Sequence, residues 1–311
     1  MDILSRLSDD PTVLMDGAMA TELQRRGAPM SMEIWGGTVM LTDPGLIRDT
    51  HRDFALSGAE IHTANTYNTA PHLITRTDLD ITSKALNRLA VSLAREGIEE
   101  AAPSHPVWIA GSISTAVEGR RQMLAPGELR ESYKAQAESL AEEGCDLLVL
   151  EMMLTHEFAI ELDFQHEIAD IAKQTGLPVW GGMSVKVSAE GVPHLYEREP
   201  DSAAQLAEAM ATFLARSVDV AGIMHSDVEA ISPALELLKR HWSGPIAVYP
   251  NSGTFARPNW QFETVLAPEA FAKEALNWVA QGANAVGGCC GLGPEHILAL
   301  RKALTSSSSV C

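Results

Sequence analysis

The sequence predicts an α/β protein in which residues 1–311 fold as a single (β/α)8 barrel of the TIM type. Short apolar runs rich in β-branched residues alternate with longer amphipathic runs along the whole chain. Eight such strand–helix units point to a barrel closed by parallel strands. The first predicted strand ends in "DGAMATE" and lacks the G-x-G-x-x-G that a doubly wound nucleotide-binding sheet normally carries.

The eight predicted strands are short and spread over the full length of the chain. They are "VLMDGA" (13–18), "AEIHTAN" (59–65), "VWIAGSI" (107–113), "DLLVLEMM" (146–153), "PVWGGMSV" (178–185), "VAGIMHS" (220–226), "IAVYPNS" (246–252) and "ANAVGGCC" (283–290). The segments between them have the period of amphipathic helices.

The predicted helices begin and end at recognisable residues. Proline is favoured in the first helical turn, and glycine is favoured just after the last one. One helix therefore begins after Asp43-Pro44 and ends at Gly58, and the last helix begins at Pro294. The serine-rich end of the chain, from about residue 305, is predicted to be a short disordered tail.

The composition excludes several classes of partner. A net charge of −18 repels phosphate backbones and anionic membrane surfaces, so neither nucleic acid nor a membrane is an expected partner. The chain shows no secretory signal and no apolar run long enough to cross a membrane. Four cysteines are too few for a disulfide scaffold, so the expected location is the cytoplasm. The oligomeric state stays open.

Polar and sulfur-bearing residues lie at the ends of the predicted strands. Parallel barrel strands all end at one mouth, which is where barrel enzymes carry their active sites. Two carboxylates, an imidazole, two thiols and small polar groups meet there, which indicates an active site. The residues are Asp16, Asn65, Ser112, Glu151, Ser184, His225, Asn251, Cys289 and Cys290.

The adjacent cysteines in "AVGGCCGLGPEH" allow three interpretations. A disulfide between neighbours needs a strained ring, and a reducing compartment disfavours it further. A pair of core cysteines requires a break in the strand, because neighbouring strand residues point to opposite faces. The glycines at 287, 288 and 291 permit that break, and the same break would turn both thiols toward one metal ion.

A catalytic zinc site needs at least three protein ligands and an open fourth position. His225 ends the sixth predicted strand in "GIMHSD" and is the best-placed third ligand for Cys289 and Cys290. The alternative is a surface histidine or a hydrogen-bonded core histidine. A strand-end position at the same mouth as two cysteines favours the metal ligand.

These motifs resemble the homocysteine S-methyltransferase family over nearly the whole chain. The matching stretches are "LMDGAMATELQRRG", "LTDPGLIRDTHRDFALSGAEIHTANTY", "DLLVLEMM", "VYPNSG" and "GANAVGGCCGLGPEHI". The resemblance implies a (β/α)8 barrel with a zinc ion (Zn2+) at its mouth, bound by Cys289 and Cys290. It also implies that Asp16 and Glu151 hold the amino group of homocysteine. The alternatives are that Glu151 caps a loop and that Asp16 orders the Gly17 turn.

The chain departs from the family pattern in three places. His225 in "GIMH" stands where the family normally carries a third cysteine, in a pattern like "GVNC". "GSISTAVEGR" follows the third predicted strand, where "GSIGPYG" is usual, and "GGMSVK" replaces a serine-rich end of the fifth. The first change alters the predicted zinc site, and the other two alter the region where substrate groups are expected.

The resemblance implies zinc-dependent transfer of a methyl group to the thiol of homocysteine or a similar thiol, forming methionine or an analogue. The donor is expected to be a small sulfonium or quaternary ammonium molecule, which an aromatic face such as Trp35 would attract. The alternatives are a lyase or hydrolase reaction on the same fold, or a catalytically silent zinc-binding homologue. The predicted metal ligands are His225, Cys289 and Cys290, and the predicted substrate-binding residues are Asp16, Glu151, Asn65, Ser184, Asn251 and Trp35.

Overall fold

A computed structural model describes residues 2–8, 12–114, 126–153, 162–196, 203–215 and 218–308. Part of the altered "GSISTAVEGR" segment, residues 115–120, lies outside the described residues, as do residues 309–311. Among the described residues, none of the helices combines the length and the apolar character needed to cross a membrane.

Eight parallel strands form the barrel, and they lie where the sequence predicts them. The barrel strands are β1 Val13–Leu14, β2 Ile61–Thr63, β3 Trp108–Ser114, β4 Leu147–Met153, β5 Val179–Met183, β8 Val220–Asp227, β9 Ile246–Asn251 and β12 Ala285–Val286. Their order around the sheet is β1-β12-β9-β8-β5-β4-β3-β2, and a parallel bridge between Met15 and Ile61 joins the two ends. The (β/α)8 prediction is therefore confirmed.

Two antiparallel hairpins that the sequence analysis does not predict interrupt this regular pattern. Strands β6 (Val185–Val187) and β7 (Pro193–Leu195) pair after β5, and β10 (Thr254–Ala256) pairs with β11 (Asn259–Gln261) after β9. Both hairpins follow the carboxyl end of a barrel strand. They therefore extend the side of the barrel on which the predicted site lies.

Helices surround the barrel and carry its outer layer. They are α1 Ile3–Ser8, α2 Met19–Arg25, α3 Val39–Thr42, α4 Pro44–Ser57, α5 Pro71–Ile74, α6 Ser83–Ala101, α7 Pro126–Glu142, α8 Leu162–Lys173, α9 Ala203–Leu214, α10 Val228–Leu238, α11 Pro268–Ala280 and α12 Pro294–Ser308.

The helix ends follow the sequence signals, with one difference at the end of the chain. The Asp43 carboxylate accepts a hydrogen bond from the Leu46 amide at 3.2 Å, and Gly58 ends α4 with a φ of 102°. Residues 305–308, in the segment predicted to be a disordered tail, continue α12. The Thr305 hydroxyl donates to the Arg301 carbonyl at 3.1 Å, as serine and threonine do in a continuing helix.

The core has an inner and an outer layer, because successive strand residues point to opposite faces. The barrel interior is filled by large side chains, among them Trp180 and Met224, which are at most 1% exposed. Neighbouring residues such as Ala221 and Ile223 point outward and pack under the helices. The filled interior leaves space only at the ends of the barrel, which is where a site can form.

Two histidines are buried between α4 and β2. His51 and His62 are both 0% exposed, and their rings lie 5.8 Å apart. Burial, which removes the water that would solvate an imidazolium, lowers the pKa of His62 to about 3 and the pKa of His51 well below 6.5. Both rings are therefore neutral in the folded protein at neutral pH.

We expect these histidines to make the protein less stable as the pH falls below about 6.5. In that range the unfolded chain binds protons that the folded chain does not, so each ring lowers the free energy of unfolding by up to about 1.4 kcal/mol per pH unit. His51→Leu removes one ring and should flatten this dependence in urea unfolding between pH 7.5 and 5.

The matched control is His241→Leu at an exposed position, which should leave the dependence unchanged. Burial raises the pKa of Asp16 to about 7, so the folded protein binds this proton more readily than the unfolded chain and the free energy of unfolding rises as the pH falls. The variants are therefore compared with the parent at each pH. Equal slopes for His51→Leu and the parent protein would contradict the prediction.

Candidate active site with a cysteine and histidine cluster

A cavity of about 390 Å³ opens at the carboxyl ends of the barrel strands. Its wall contains both thiols, the imidazole and both carboxylates that the sequence predicts to meet there. Of the predicted site residues, all except Ser184 line this cavity: Asp16, Trp35, Asn65, Glu151, His225, Asn251, Cys289 and Cys290.

Glu151 reaches the cavity from an irregular end of β4. The pairing of β4 with β5 shifts between Leu150 and Met153, and Met152 has a φ of 59°, which is unusual for a residue with a side chain. Only 4% of Glu151 is exposed. One of its carboxylate oxygens accepts a hydrogen bond from the Ser112 hydroxyl, and the other lies 2.5 Å from His225 Nε2.

His225 reaches the cavity from a similar irregularity at the end of β8. The pairing of β8 with β9 shifts between Met224 and Asp227, and His225 itself has a φ of 48°. The ring of His225 lies between the Glu151 carboxylate and the cysteine pair, with Nδ1 3.4 Å from Cys289 Sγ.

The cysteine pair lies in a turn that begins where β12 ends. The strand stops at Val286, so the break that the neighbouring glycines permit is present. Gly291 has a φ of 86°, and an added Cβ there would lie 1.9 Å from the Ser252 carbonyl oxygen. The Cys290 amide donates to Asn251 Oδ1 at 3.1 Å, which fixes the turn. Cys289 and Cys290 are free thiols, so the disulfide interpretation is wrong.

Three ligand atoms of the cluster lie at separations that suit one metal ion. A tetrahedral zinc ion would hold two sulfurs about 3.8 Å apart and a sulfur and a nitrogen about 3.6 Å apart. Cys289 Sγ lies 4.0 Å from Cys290 Sγ and 3.4 Å from His225 Nδ1. All three atoms are within 4.8 Å of one another. Two thiols and an imidazole suit zinc, and the cavity leaves space for a fourth ligand.

The charges of the cluster favour a bound cation. The hydrogen bond to Cys290, together with burial, raises the pKa of Cys289 well above its usual value. Burial by itself lowers the pKa of His225, but Cys289 and Glu151 outweigh it and raise this pKa to about 10. Without a cation the group therefore retains protons, and a metal ion would displace them and stabilise the thiolates.

Asp16 provides a second carboxylate on the cavity wall. The Thr63 amide donates to Asp16 Oδ2 at 2.7 Å, and the Thr63 hydroxyl lies 3.1 Å from Oδ1. Burial raises the pKa of Asp16 to about 7, with a further contribution from the charge of Glu151. Asp16 is therefore a fixed, buried acid near a cavity, an arrangement that suits a cationic partner.

The outer part of the cavity has an aromatic wall formed by Trp35 and the hairpin β10–β11. The Trp35 indole donates to the Pro258 carbonyl at 2.9 Å, and its ring meets Phe255 edge-on at 5.8 Å. Asn65 donates to the Gly36 carbonyl at 3.1 Å and so supports the segment that carries Trp35.

Ser184 does not line the cavity, and its contact with substrate stays a prediction. The residue is fully buried, and its hydroxyl donates to the Met152 sulfur at 3.2 Å. Strand β5 ends at Met183, and β6 begins at Val185, so the chain turns into the β6–β7 hairpin at Ser184. The side chain therefore lies behind Met152, which itself lines the cavity.

Several further residues line the cavity. Ser112 does so, as its predicted strand-end position indicates, and so do Tyr67 and Tyr249, which lie at or near the ends of predicted strands. Phe255 and Arg257 belong to the unpredicted β10–β11 hairpin, and the pattern of apolar residues gives no signal for them.

A second group of ligand atoms comes from Asp16, His51 and His62, which also lie within 4.8 Å of one another. The two histidines belong to the packing between helix and strand and do not line the cavity. The cysteine and histidine cluster combines softer ligands with access from the cavity, so it is the stronger candidate for a metal.

The fold and the site together define a (β/α)8 barrel protein with two thiols and an imidazole at the carboxyl ends of its strands. The model of the homocysteine S-methyltransferase family matches residues 13–304, which is nearly the whole chain. The protein belongs to this family, as the sequence motifs predict, and it is a methyltransferase.

Similar proteins cover almost the whole chain. The homocysteine S-methyltransferase YbgG of Bacillus subtilis (strain 168) is 28% identical over 92% of each chain. The selenocysteine methyltransferase of Astragalus bisulcatus is 27% identical over 94% of this chain and 92% of its own. The metallated form of the homocysteine methyltransferase MmuM from Escherichia coli superposes with a TM-score of 0.76 and 26% identity, covering 96% of this chain and 98% of the other.

We expect Gly291→Ala to destabilise the protein because the turn of the cysteine pair has no space for a side chain. The positive φ costs about 1 kcal/mol, and the approach to the Ser252 carbonyl adds roughly 1–3 kcal/mol. Gly176→Ala is the control, since Gly176 has a φ of 81° and no atom within 4 Å of the added Cβ. Urea unfolding of both variants measures the difference, and equal losses would contradict the steric account.

Proposed function

We propose that this methyltransferase transfers a methyl group from a small sulfonium or quaternary ammonium donor to the thiol of homocysteine or a similar amino acid, and that it requires zinc. The observation that carries the proposal is the cluster of His225, Cys289 and Cys290 at the mouth of the barrel. Family membership favours methyl transfer over the lyase, hydrolase and silent alternatives. The resemblance to a metallated relative supports a metal in the site.

His225, Cys289 and Cys290 would hold the zinc ion. When bound, zinc supplies positive charge that lowers the pKa of an acceptor thiol and so provides a thiolate at neutral pH. Asp16 would bind the ammonium group of the acceptor, which places the sulfur toward the cysteine pair. Holding both reactants in one cavity supplies a further part of the rate acceleration.

The aromatic wall would bind the methyl donor. Trp35 and Phe255 form apolar faces on the cavity, and a sulfonium or quaternary ammonium group is attracted to such faces. Transfer of a methyl group from this cation to a thiolate removes both charges. A cavity that excludes water therefore favours the reaction, because it solvates the charged reactants less well than water does.

The histidine changes the charge of the proposed metal site. Two thiolates and a neutral imidazole balance the charge of Zn2+, whereas three thiolates would leave a net charge of −1. The neutral site attracts an incoming thiolate more strongly and lowers the pKa of its thiol further. The bound thiolate is in turn a weaker nucleophile, because nucleophilicity falls with pKa.

The first test is the metal content of protein purified without added metal. We expect about one zinc per chain in the parent protein and little in His225→Ala, because a zinc site needs at least three protein ligands. His241→Ala, at an exposed position, is the control and should keep its zinc. Homocysteine should raise the Tm of the zinc-loaded protein. Protein without zinc, or full zinc in His225→Ala, would contradict the proposed site.

The second test concerns the donor. We expect Trp35→Leu to lower kcat/KM for the methyl donor roughly tenfold, since a cation over an aromatic face contributes about 1 kcal/mol or more. Trp35→Phe keeps an aromatic face and should retain most of the activity. Steady-state kinetics with the donor as the varied substrate measure this effect. Equal losses in both variants would indicate that Trp35 acts through packing alone.

A further inference from the structure

Glu151 is hydrogen-bonded to protein through both carboxylate oxygens. The Ser112 hydroxyl donates to Oε1, and His225 Nε2 lies 2.5 Å from Oε2. Glu151 and His225 are at least nine-tenths buried, with exposures of 4% and 9%. The carboxylate therefore lies against the imidazole in a place where little water competes for the hydrogen bond.

The contact between Glu151 and His225 indicates which ring nitrogen of His225 would keep its proton when the other binds a metal ion. The Glu151 oxygen that faces Nε2 can accept this hydrogen bond, with Nε2–H as the donor. In a neutral imidazole the other nitrogen, Nδ1, then carries the free electron pair. Nδ1 is the atom that faces Cys289 Sγ at 3.4 Å, and it is one of the three atoms that lie together as ligands.

We propose that Glu151 is a positioning residue for His225, which it orients as a metal ligand, and that Glu151 is not the partner of the acceptor's amino group. This assignment rests on the metal site of the proposed function. A carboxylate that accepts the second N–H of a ligating histidine fixes the ring and makes its other nitrogen a better ligand. The role depends on the histidine of this chain, because a cysteine at position 225 has no N–H to offer.

The backbone supports this pairing from both strands. Glu151 and His225 each lie within a shifted segment of their strand, between Leu150 and Met153 in β4 and between Met224 and Asp227 in β8. The strand between them, β5, carries Gly182, where an added Cβ would lie 1.7 Å from Met224 Cε. The absence of a side chain at Gly182 lets Met224 pack there, directly before His225.

Recognition of the acceptor then depends on Asp16. Thr63 holds the Asp16 carboxylate at 2.7 and 3.1 Å, and Asp16 lines the cavity without belonging to the group of His225, Cys289 and Cys290. The family resemblance implies that Asp16 and Glu151 share one ammonium group, whereas the proposal gives them separate roles. Glu151 would orient His225, and Asp16 would bind the acceptor.

The test measures zinc affinity by competition with a chelator in the parent protein, Glu151→Ala and Glu151→Gln. We expect Glu151→Ala to bind zinc 10–100-fold more weakly, as is typical when such an outer partner is removed. Glu151→Gln keeps an acceptor oxygen for Nε2–H and should recover part of that loss. The absorption spectrum of the cobalt-loaded protein should change in Glu151→Ala, because it reports the ligands of the metal.

His225→Cys provides the matched background, because it removes the ring and keeps a metal ligand. Glu151→Ala should leave zinc affinity unchanged within that background, whereas a structural effect of Glu151 would persist there. Homocysteine binding by zinc-loaded Glu151→Gln, measured as a shift in Tm, tests the competing role. A lost shift with unchanged zinc affinity would make Glu151 the amine partner and overturn the assignment.

The outcomes separate this assignment from the proposed function. A parent protein that binds no zinc would overturn both. Equal zinc affinities of the parent protein and Glu151→Ala would overturn the role of Glu151 alone. The proposed metal site would be unaffected. Three results together would support the role of Glu151. Glu151→Ala lowers zinc affinity in the parent protein, the same substitution has no effect on zinc affinity in the His225→Cys background, and homocysteine still raises the Tm of Glu151→Gln.

Discussion

The site depends on two strands that leave regular pairing as they reach the mouth of the barrel. The pairing of β4 and of β8 shifts in the segments that carry Glu151 and His225. Positive φ angles at Met152 and His225 accompany these shifts. Regular strands would alternate their side chains between the two faces. The irregular ends instead direct an acid and an imidazole into one cavity, where each is the other's partner.

The barrel and most of the site could be predicted from the sequence because both follow local rules. Strand period, helix caps such as Asp43 and the direction of parallel strands are enough to bring Cys289 and Asp16 to one mouth. Ser184 lies outside the cavity wall because a chain that turns into a hairpin does not keep the alternation of a strand. Bulges arise from pairing between distant segments, so no local pattern could reveal the contact between Glu151 and His225.

His225 stands where the family pattern carries a cysteine, and this exchange would change more than one ligand of the proposed metal site. An imidazole has a second ring nitrogen, which needs a hydrogen-bond partner when it is buried. In this protein that nitrogen is His225 Nε2, which lies 2.5 Å from the Glu151 carboxylate. A thiolate at the same position would make no such demand. The exchange therefore connects β8 to β4 by a hydrogen bond and leaves Asp16, held by Thr63, as the carboxylate that is free of the proposed metal site.

On the proposed function, Asp16 would give the cavity a basis for choosing among thiols. Burial, which raises the pKa of Asp16 to about 7, makes its ionised form costly when no cation is near. An acceptor with an ammonium group would restore the charged form and gain a charge-assisted hydrogen bond, whereas a simple thiol would meet a partly protonated acid and gain little. Selectivity for amino-acid thiols would thus follow from the desolvation of one side chain, without a second carboxylate.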